Sequence, residues 1–161
     1  MKICKVSMVK VSIISMAKEF ITNSEEETGE IASRLAGLIS RPAVLTLEGD
    51  LGAGKTVFSR NFARSLGVEG PVSSPTFTIV QEYELESGVL YHMDLYRIGD
   101  DDEAISFGID EYLDRKDAVC LIEWSSRLQW LLPDEVFSIS IEHVSETQRK
   151  IILSDNLCEL M

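Results

Sequence analysis

The segment 49–56, GDLGAGKT, combines three glycines with a lysine and a threonine. It matches the pattern G-x-x-x-x-G-K-[ST] at each fixed position. The glycines let successive backbone N–H groups turn toward an anion, and the helix that follows adds the positive end of its dipole. Lys55 would supply charge to the β- and γ-phosphates of a nucleotide, and the Thr56 hydroxyl would ligate Mg²⁺. We name this segment the phosphate loop, with predicted nucleotide contacts from Asp50, Leu51, Gly52, Ala53, Gly54, Lys55 and Thr56.

A phosphate loop of this kind needs an acid nearby, and Glu123 is the first candidate. It closes the apolar run 118–123, AVCLIE, and a buried strand that ends in an acid is the usual way to deliver a metal- or water-positioning carboxylate. Most such strands end in Asp, so Glu is a departure. The alternative is a strand-end Glu that faces solvent. Trp124, the next residue, is expected to belong to the core.

Asp94 is the second candidate acid. In the segment 89–96, VLYHMDLY, alternation places His92, Asp94 and Tyr96 on one face and the apolar residues on the other. An Asp within a strand needs a partner, which here is either a metal ion or Arg97. A zinc site at His92 is improbable because His143 is the only other histidine.

Thr76 lies in the segment 73–78, SSPTFT, which we name the switch segment. In nucleotide switches, a threonine in such a loop reaches the γ-phosphate side of the metal. The alternative is a turn hydroxyl bonded to its own backbone.

The neighbouring elements must position these residues. The apolar segment 43–49 is typical of a buried strand and leads directly into the phosphate loop. After the loop, Phe58, Phe62 and Leu66 recur every four residues, which predicts a helix, and Gly67 is a typical stop.

Predicted strands and helices alternate along the rest of the chain, which indicates an α/β fold. We expect one α/β domain with mixed strand directions, spanning residues 18–161, and an N-terminal extension at residues 1–17. The predicted elements are a strand at 19–22, a helix after the capping residue Ser24 that ends before Pro42, hairpins at 78–85 with 89–96 and at 136–144 with 148–154, and helices at 101–116 and 125–132.

The composition restricts the function. The 161 residues include 15 Lys and Arg against 27 Asp and Glu, a net charge of −12. Proteins that grip nucleic acid unaided normally have the opposite balance, so any role with RNA is expected to run through a partner protein. No apolar run approaches the roughly 20 residues of a membrane span, and cysteines without metal-type spacing indicate reduced thiols, so a cytoplasmic protein is expected.

Four motifs in order, GDLGAGKT, VSSPTFTIVQEY, YHMDLYRI and LIEW, resemble the TsaE (YjeE) family, small bacterial ATPases required for threonylcarbamoyladenosine modification of tRNA. The resemblance runs from about Glu19 to about Pro133. It implies a P-loop NTPase-like three-layer α/β fold with a mixed parallel and antiparallel sheet. It also implies an ATP or ADP site with Mg²⁺ and weak intrinsic ATPase activity. It also implies work with the TsaD and TsaB proteins, where TsaD performs the transfer and tRNA is met only indirectly, away from any membrane.

The resemblance assigns roles to individual residues. Lys55 and Thr56 would fill the phosphate and metal roles, Asp94 and Glu123 would be the metal-proximal acids, and Thr76 would be the switch threonine. The family often has an acid soon after the EW pair, whereas Ser-Ser-Arg follows here.

Two other functions stay open from the residues alone, a P-loop small-molecule kinase and a nucleotide-dependent regulatory adaptor. Such kinases usually carry an arginine-rich lid, whereas the stretch between Gly99 and Lys116 is acidic. Arg97 and Arg127 are candidates for a transition-state arginine, and a partner's arginine is equally open. The segment 22–24 and the loop near Pro133 are the two candidate locations for the adenine base.

Overall fold

Strands and helices alternate along the computed structural model, which describes residues 18–161; the predicted extension at 1–17 lies outside the described residues. The strands are β1 (Lys18–Thr22), β2 (Ala43–Glu48), β3 (Val80–Leu85), β4 (Gly88–Asp94), β5 (Ala118–Glu123), β6 (Phe137–His143) and β7 (Arg149–Leu153). The helices are α1 (Glu25–Leu38), α2 (Lys55–Ser65), α3 (Asp101–Ser106), α4 (Ile109–Leu113) and α5 (Asp155–Cys158). Within this part of the chain, every helix is too short or too polar to cross a membrane.

All seven strands form one sheet in the order β1-β7-β6-β2-β5-β4-β3. The four central strands, β6, β2, β5 and β4, are parallel, while the pairings of β7, β1 and β3 are antiparallel. The predicted mixed sheet is confirmed. Because the carboxyl ends of parallel strands meet at one edge, Glu48, Asp94 and Glu123 end their strands on the same side of the domain, where ligands bind in open α/β sheets.

Helices cover both faces of the sheet, which confirms the three-layer architecture. On one face, α1 and α2 pack against β2 and β5, with Phe58 and Phe62 of α2 fully buried against Leu45 and Leu121. On the other face, α3 and α4 cover β4 and β5 in a second apolar cluster that includes Ile109. Strand β5 is buried along its whole length, as its continuous apolar sequence predicts.

Helix α1 begins where its capping residues predict. The Ser24 hydroxyl accepts the backbone N–H of Glu27 at 3.2 Å, and the Glu27 carboxylate accepts the backbone N–H of Asn23 at 2.7 Å. These bonds satisfy N–H groups that a helix start leaves unpaired. The helix ends at Leu38, before Pro42.

The acidic segment 101–116 forms two short helices instead of the single predicted helix. Gly108 has a left-handed backbone (φ 75°) and separates α3 from α4. Side-chain-bearing residues rarely adopt this conformation, and it does not continue an α-helix. The short C-terminal helix α5 was not predicted.

The predicted helix at 125–132 is also wrong, because only Ser125–Arg127 form a single 3₁₀ turn. The backbone N–H groups of Gln129, Trp130 and Leu131 bond to the side chain of Asp101 at 2.7 to 3.0 Å. These donors are thereby removed from any helical pattern, so a long-range contact overrides the local preference.

We predict that Asp101→Asn lowers the free energy of unfolding by about 2 kcal/mol, because the amide replaces one charged acceptor by a donor that faces backbone N–H groups. Burial works against ionisation of Asp101, but the hydrogen bonds from Gln129, Trp130 and Leu131 outweigh it and lower the pKa. The stabilisation is therefore complete above the unfolded-state pKa of about 3.9 and is lost as the pH falls through the lower folded-state pKa.

Urea unfolding of Asp101→Asn and of the exposed control Asp102→Asn checks this at pH 7 and at pH 2. The control is expected to match the wild type at pH 7, and the Asp101→Asn deficit is expected to shrink in acid. A deficit that stays constant with pH would contradict the role given to the carboxylate.

Candidate functional site

The phosphate loop joins the carboxyl end of β2 to the first turn of α2, as predicted. Gly54 precedes α2 with a left-handed backbone (φ 109°), and no side chain in residues 18–161 caps this helix start. The first N–H groups of α2 are therefore available to an anion, and the helix dipole favours a negative charge there.

The first glycine fixes the loop against the sheet. Gly49 has φ 152°, and a Cβ at this position would lie 2.5 Å from the carbonyl oxygen of Ile141 on β6. Only a residue without a side chain permits this approach. The first residue of the phosphate loop therefore packs directly against the backbone of β6, the strand next to β2.

Lys55 is 6% exposed, and its ammonium group donates to the carbonyl oxygens of Gly49 (2.5 Å) and Asp50 (3.0 Å). It also lies 4.5 Å from the centre of the Trp124 ring. Among the described residues it forms no salt bridge. A buried ammonium without a carboxylate partner favours an anionic ligand, since burying a charge otherwise carries a desolvation penalty.

Asp94 is 3% exposed and accepts three hydrogen bonds. Its Oδ2 accepts from the hydroxyls of Ser74 (2.7 Å) and Thr76 (2.9 Å), and its Oδ1 accepts from the backbone N–H of Tyr96 (3.0 Å). The switch segment thus lies directly on this carboxylate. Arg97, considered as a partner for Asp94, instead places its guanidinium 5.0 Å from the centre of the Phe77 ring.

Glu123 is 2% exposed at the end of β5, so it does not face solvent. Its Oε1 lies 2.8 Å from Nε2 of His92 and 3.1 Å from the hydroxyl of Ser59 on α2. Within residues 18–161, no three His, Cys, Asp or Glu side chains are arranged to hold a metal ion.

The sheet brings the two acids together. Asp94 pairs in register with Glu123 across β4 and β5, and Glu123 pairs with Leu47 just before the phosphate loop. The residues fit Mg²⁺ and a nucleotide, because Mg²⁺ prefers oxygen ligands and is commonly held by one or two carboxylates together with substrate phosphates. Thr56, in the first turn of α2, offers the third oxygen.

Trp124 directly follows Glu123 and begins a strained turn. Its backbone is left-handed (φ 59°), and it packs partly against the second core while its ring lies over Lys55. One oxygen of Glu48 accepts from the Ser125 hydroxyl (2.6 Å) and the Ser126 backbone N–H (3.0 Å). Glu48 therefore links the turn after β5 to the end of β2. This turn holds the Trp124 ring over Lys55 at one side of the site.

A cavity of about 410 Å³ adjoins the phosphate loop on its other side. Its walls include Asn23, Ser24, Gly52 and Val57, so the segment 22–24 borders the loop. Arg149 also lines the cavity and donates to the carbonyl of Ala53 at 2.9 Å. Pro133 lines a separate cavity of about 760 Å³ beside the amino ends of β2 and β6, far from the phosphate loop.

The remaining predicted residues of the phosphate loop differ in exposure. Asp50 and Leu51 are exposed, Leu51 to 89%, and Ala53 is buried. Arg127 lies 5.9 Å from the centre of the Tyr96 ring. Neither Arg97 nor Arg127 contacts the phosphate loop, and each rests on an exposed aromatic ring.

Sequence reasoning missed Glu48, Ser59 and Arg149. Ser59 had a signal, since it follows Lys55 by four residues on a predicted helix and shares its face. Glu48 directly precedes the loop, but its bonds to Ser125 and Ser126 depend on the turn after β5 and had no signal in the sequence. Arg149 had none either, because it reaches the loop only through the pairing of β7 with β6 and of β6 with β2.

Comparisons with known proteins point to one family. The family model "Threonylcarbamoyl adenosine biosynthesis protein TsaE" matches residues 22–151. A tRNA threonylcarbamoyladenosine biosynthesis protein TsaE from Bacillus subtilis is 43% identical over 144 residues, which cover 86% of this chain and 89% of that protein. The protein of the same name from Haemophilus influenzae is 38% identical over 130 residues, 80% of this chain and 82% of its own length.

A solved structure has a similar fold and sequence. The crystal structure of Bacillus subtilis YdiB superposes with a TM-score of 0.74 at 38% identity, covering 92% of this chain and 95% of that one. With the family model spanning most of the domain, this chain belongs to the TsaE family of threonylcarbamoyl adenosine biosynthesis proteins.

Proposed function

We propose that this protein binds and hydrolyses ATP with Mg²⁺, and that it supports tRNA threonylcarbamoyladenosine formation by acting on a TsaD–TsaB complex. One observation carries the proposal. Two buried carboxylates, Asp94 and Glu123, end adjacent strands close to a buried Lys55 that pairs with no carboxylate among the described residues. A cation for phosphates and two acids for metal and water are the recurring parts of a phosphoryl-transfer site.

The chain's own residues divide the work. Lys55 leaves the carbonyls of the loop and binds the β- and γ-phosphates of ATP, or the β-phosphate of ADP. Thr56 and Asp94 would hold Mg²⁺ through oxygen atoms, and Glu123 would position the attacking water. Bound Mg²⁺ supplies neutralisation of the charge on the phosphate oxygens.

The switch segment links this site to a partner. Thr76 bonds to Asp94, so a movement of the switch segment would release its hydroxyl from this carboxylate and make it available to bound Mg²⁺. Weak hydrolysis by the isolated chain is expected, because the two candidate arginines, Arg97 and Arg127, lie on the rings of Phe77 and Tyr96 and make no hydrogen bond to the phosphate loop. The partner complex orders residues 73–78, or supplies an arginine, and so raises turnover.

The surface around the switch segment suits protein docking. Phe77 is 83% exposed, Leu51 is 89% exposed and Tyr96 is 50% exposed, all at the carboxyl edge of the sheet. The net charge of −12 opposes direct tRNA binding and favours a basic protein partner. The complex of TsaD and TsaB is therefore the proposed partner, and tRNA is reached only through it.

We predict that Thr76→Ala lowers partner-stimulated ATP turnover about 10-fold or more, while the affinity for ADP changes less than about 2-fold, because the hydroxyl acts on the metal side and not in phosphate binding. Thr78→Ala is the matched control, since Thr78 is exposed in the same segment. Steady-state ATPase assays with and without purified TsaD and TsaB measure the effect.

Full stimulation of the Thr76→Ala variant would contradict the switch role. The same assay separates the alternatives: phosphoryl transfer to an added small acceptor would indicate a kinase. Tight nucleotide binding without turnover, even with partners, would indicate an adaptor. Tight, salt-sensitive tRNA binding by the isolated chain would exclude the indirect role.

A further inference from the structure

The two carboxylate oxygens of Glu123 differ in their surroundings. Oε1 takes both side-chain bonds, from His92 (2.8 Å) and Ser59 (3.1 Å), and Oε2 takes none within residues 18–161. The same part of the chain contains one fully buried side-chain polar atom without a partner, and it belongs to His92. Oε2 of Glu123, which is unbonded but not fully buried, therefore keeps contact with the solvent space at the site.

The two groups that hold Oε1 come from different elements. His92 is 1% exposed on β4, next to β5 in the sheet, and Ser59 is 1% exposed on α2. Ser59 also bonds to the backbone carbonyl of Lys55 at 2.9 Å. A strand and the helix that begins at the phosphate loop thus both fix one oxygen of one carboxylate.

The hydrogen bonding of His92 indicates that the ring is placed for Glu123. Because a carboxylate oxygen accepts, Nε2 carries the proton in this bond. The other ring nitrogen, Nδ1, is buried and has no partner among the described residues. Leaving a buried polar atom unpaired costs about 1–3 kcal/mol, so an apolar residue would serve folding better at this position.

We propose that His92 is a positioning residue that, together with Ser59, fixes Oε1 of Glu123 and leaves Oε2 as the atom that faces the metal and the attacking water. This inference rests on the proposed ATP hydrolysis. Groups that orient a carboxylate near a metal typically affect metal affinity or activity by about 10- to 100-fold when they are removed.

Two substitutions at His92 test the proposal. His92→Leu removes the donor, and His92→Gln keeps an N–H donor at the end of a side chain of similar reach. We expect kcat with the partner complex to fall about 10- to 100-fold in His92→Leu and to recover to within about 3-fold in His92→Gln. The KM for MgATP is expected to rise by no more than the loss of metal affinity, about 10-fold, in His92→Leu and to stay within about 2-fold of the wild type in His92→Gln.

A second measurement does not depend on turnover. Electron paramagnetic resonance of Mn²⁺ in the presence of ADP is expected to show about 10-fold weaker binding in His92→Leu and near wild-type binding in His92→Gln. Urea unfolding is expected to show that both variants fold. If His92→Leu does not fold, Ser59→Ala removes the second donor from the same oxygen and is expected to lower kcat and Mn²⁺ affinity about 5-fold or more.

The outcomes separate this inference from the proposed function. Wild-type kcat and Mn²⁺ affinity in a folded His92→Leu, or in a folded Ser59→Ala should His92→Leu not fold, would overturn the positioning role, as would equal losses in His92→Leu and His92→Gln. A wild-type protein that does not hydrolyse ATP with the partner complex would overturn the proposed function. In that case the Mn²⁺ measurement still decides whether His92 positions Glu123.

Discussion

Lys55→Met is expected to weaken nucleotide binding by about 100-fold or more. The substitution keeps most of the buried aliphatic stem but removes the ammonium, which is the only side-chain cation that the phosphate loop offers to phosphates. Charge-assisted hydrogen bonds contribute about 1.5–3 kcal/mol each, and two such bonds to phosphate oxygens account for a loss of this size. Calorimetric titration with ADP and with a non-hydrolysable ATP analogue measures it.

The control must separate phosphate binding from loop stability, since Lys55 also bonds to the carbonyls of Gly49 and Asp50. Thermal unfolding without nucleotide reports the second effect. Lys116→Met, an exposed lysine beside the distant cavity, is expected to bind nucleotide like the wild type. Unchanged affinity together with unchanged turnover in Lys55→Met would remove the basis for the site.

The sequence predicted the phosphate loop and its strand–helix context because the chemistry there is local. Backbone N–H groups, a helix start and a lysine within one segment of eight residues need no long-range information. The same holds for the capped start of α1, where Ser24 and Glu27 meet within one turn. The alternation in β4 likewise predicted that Asp94 lies on the face opposite its apolar neighbours, where it contacts the switch segment.

Contacts between distant segments could not be predicted in this way. The segment 125–132 looks helical, yet Asp101 captures its backbone N–H groups from about 30 residues earlier in the chain. Arg149, the first residue of β7, reaches the carbonyl of Ala53 because β7 pairs with β6, which in turn lies beside β2. The sequence analysis named Glu123 as a candidate acid but did not link it to His92; the β4–β5 register places His92 opposite Leu121, two residues before Glu123, and the two side chains meet at 2.8 Å. Tertiary pairing decided each of these cases.

Asp94→Asn and Glu123→Gln are expected to lower Mg²⁺-dependent ATP hydrolysis by roughly 100-fold or more while the protein stays folded. Both substitutions keep the side-chain shape and an acceptor oxygen. Glu123→Gln can still accept from His92 and Ser59, and Asp94→Asn can still accept from Thr76. What they remove is the negative charge that holds a metal or activates water. Alanine at either position is expected to lower hydrolysis at least as much.

Asp114→Asn provides the control, because it removes an exposed carboxylate charge beside the Pro133 cavity, far from the phosphate loop. Its turnover is expected to equal that of the wild type. Affinity for ADP without Mg²⁺ is expected to change less than about 3-fold in Asp94→Asn and Glu123→Gln, since neither acid binds phosphate directly. A loss of unfolding free energy of about 2–5 kcal/mol, the size of a core deletion, with full activity in the folded fraction, would instead make the acids structural. The two outcomes exclude each other, so one set of ATPase and urea measurements decides whether these buried charges serve catalysis or the fold.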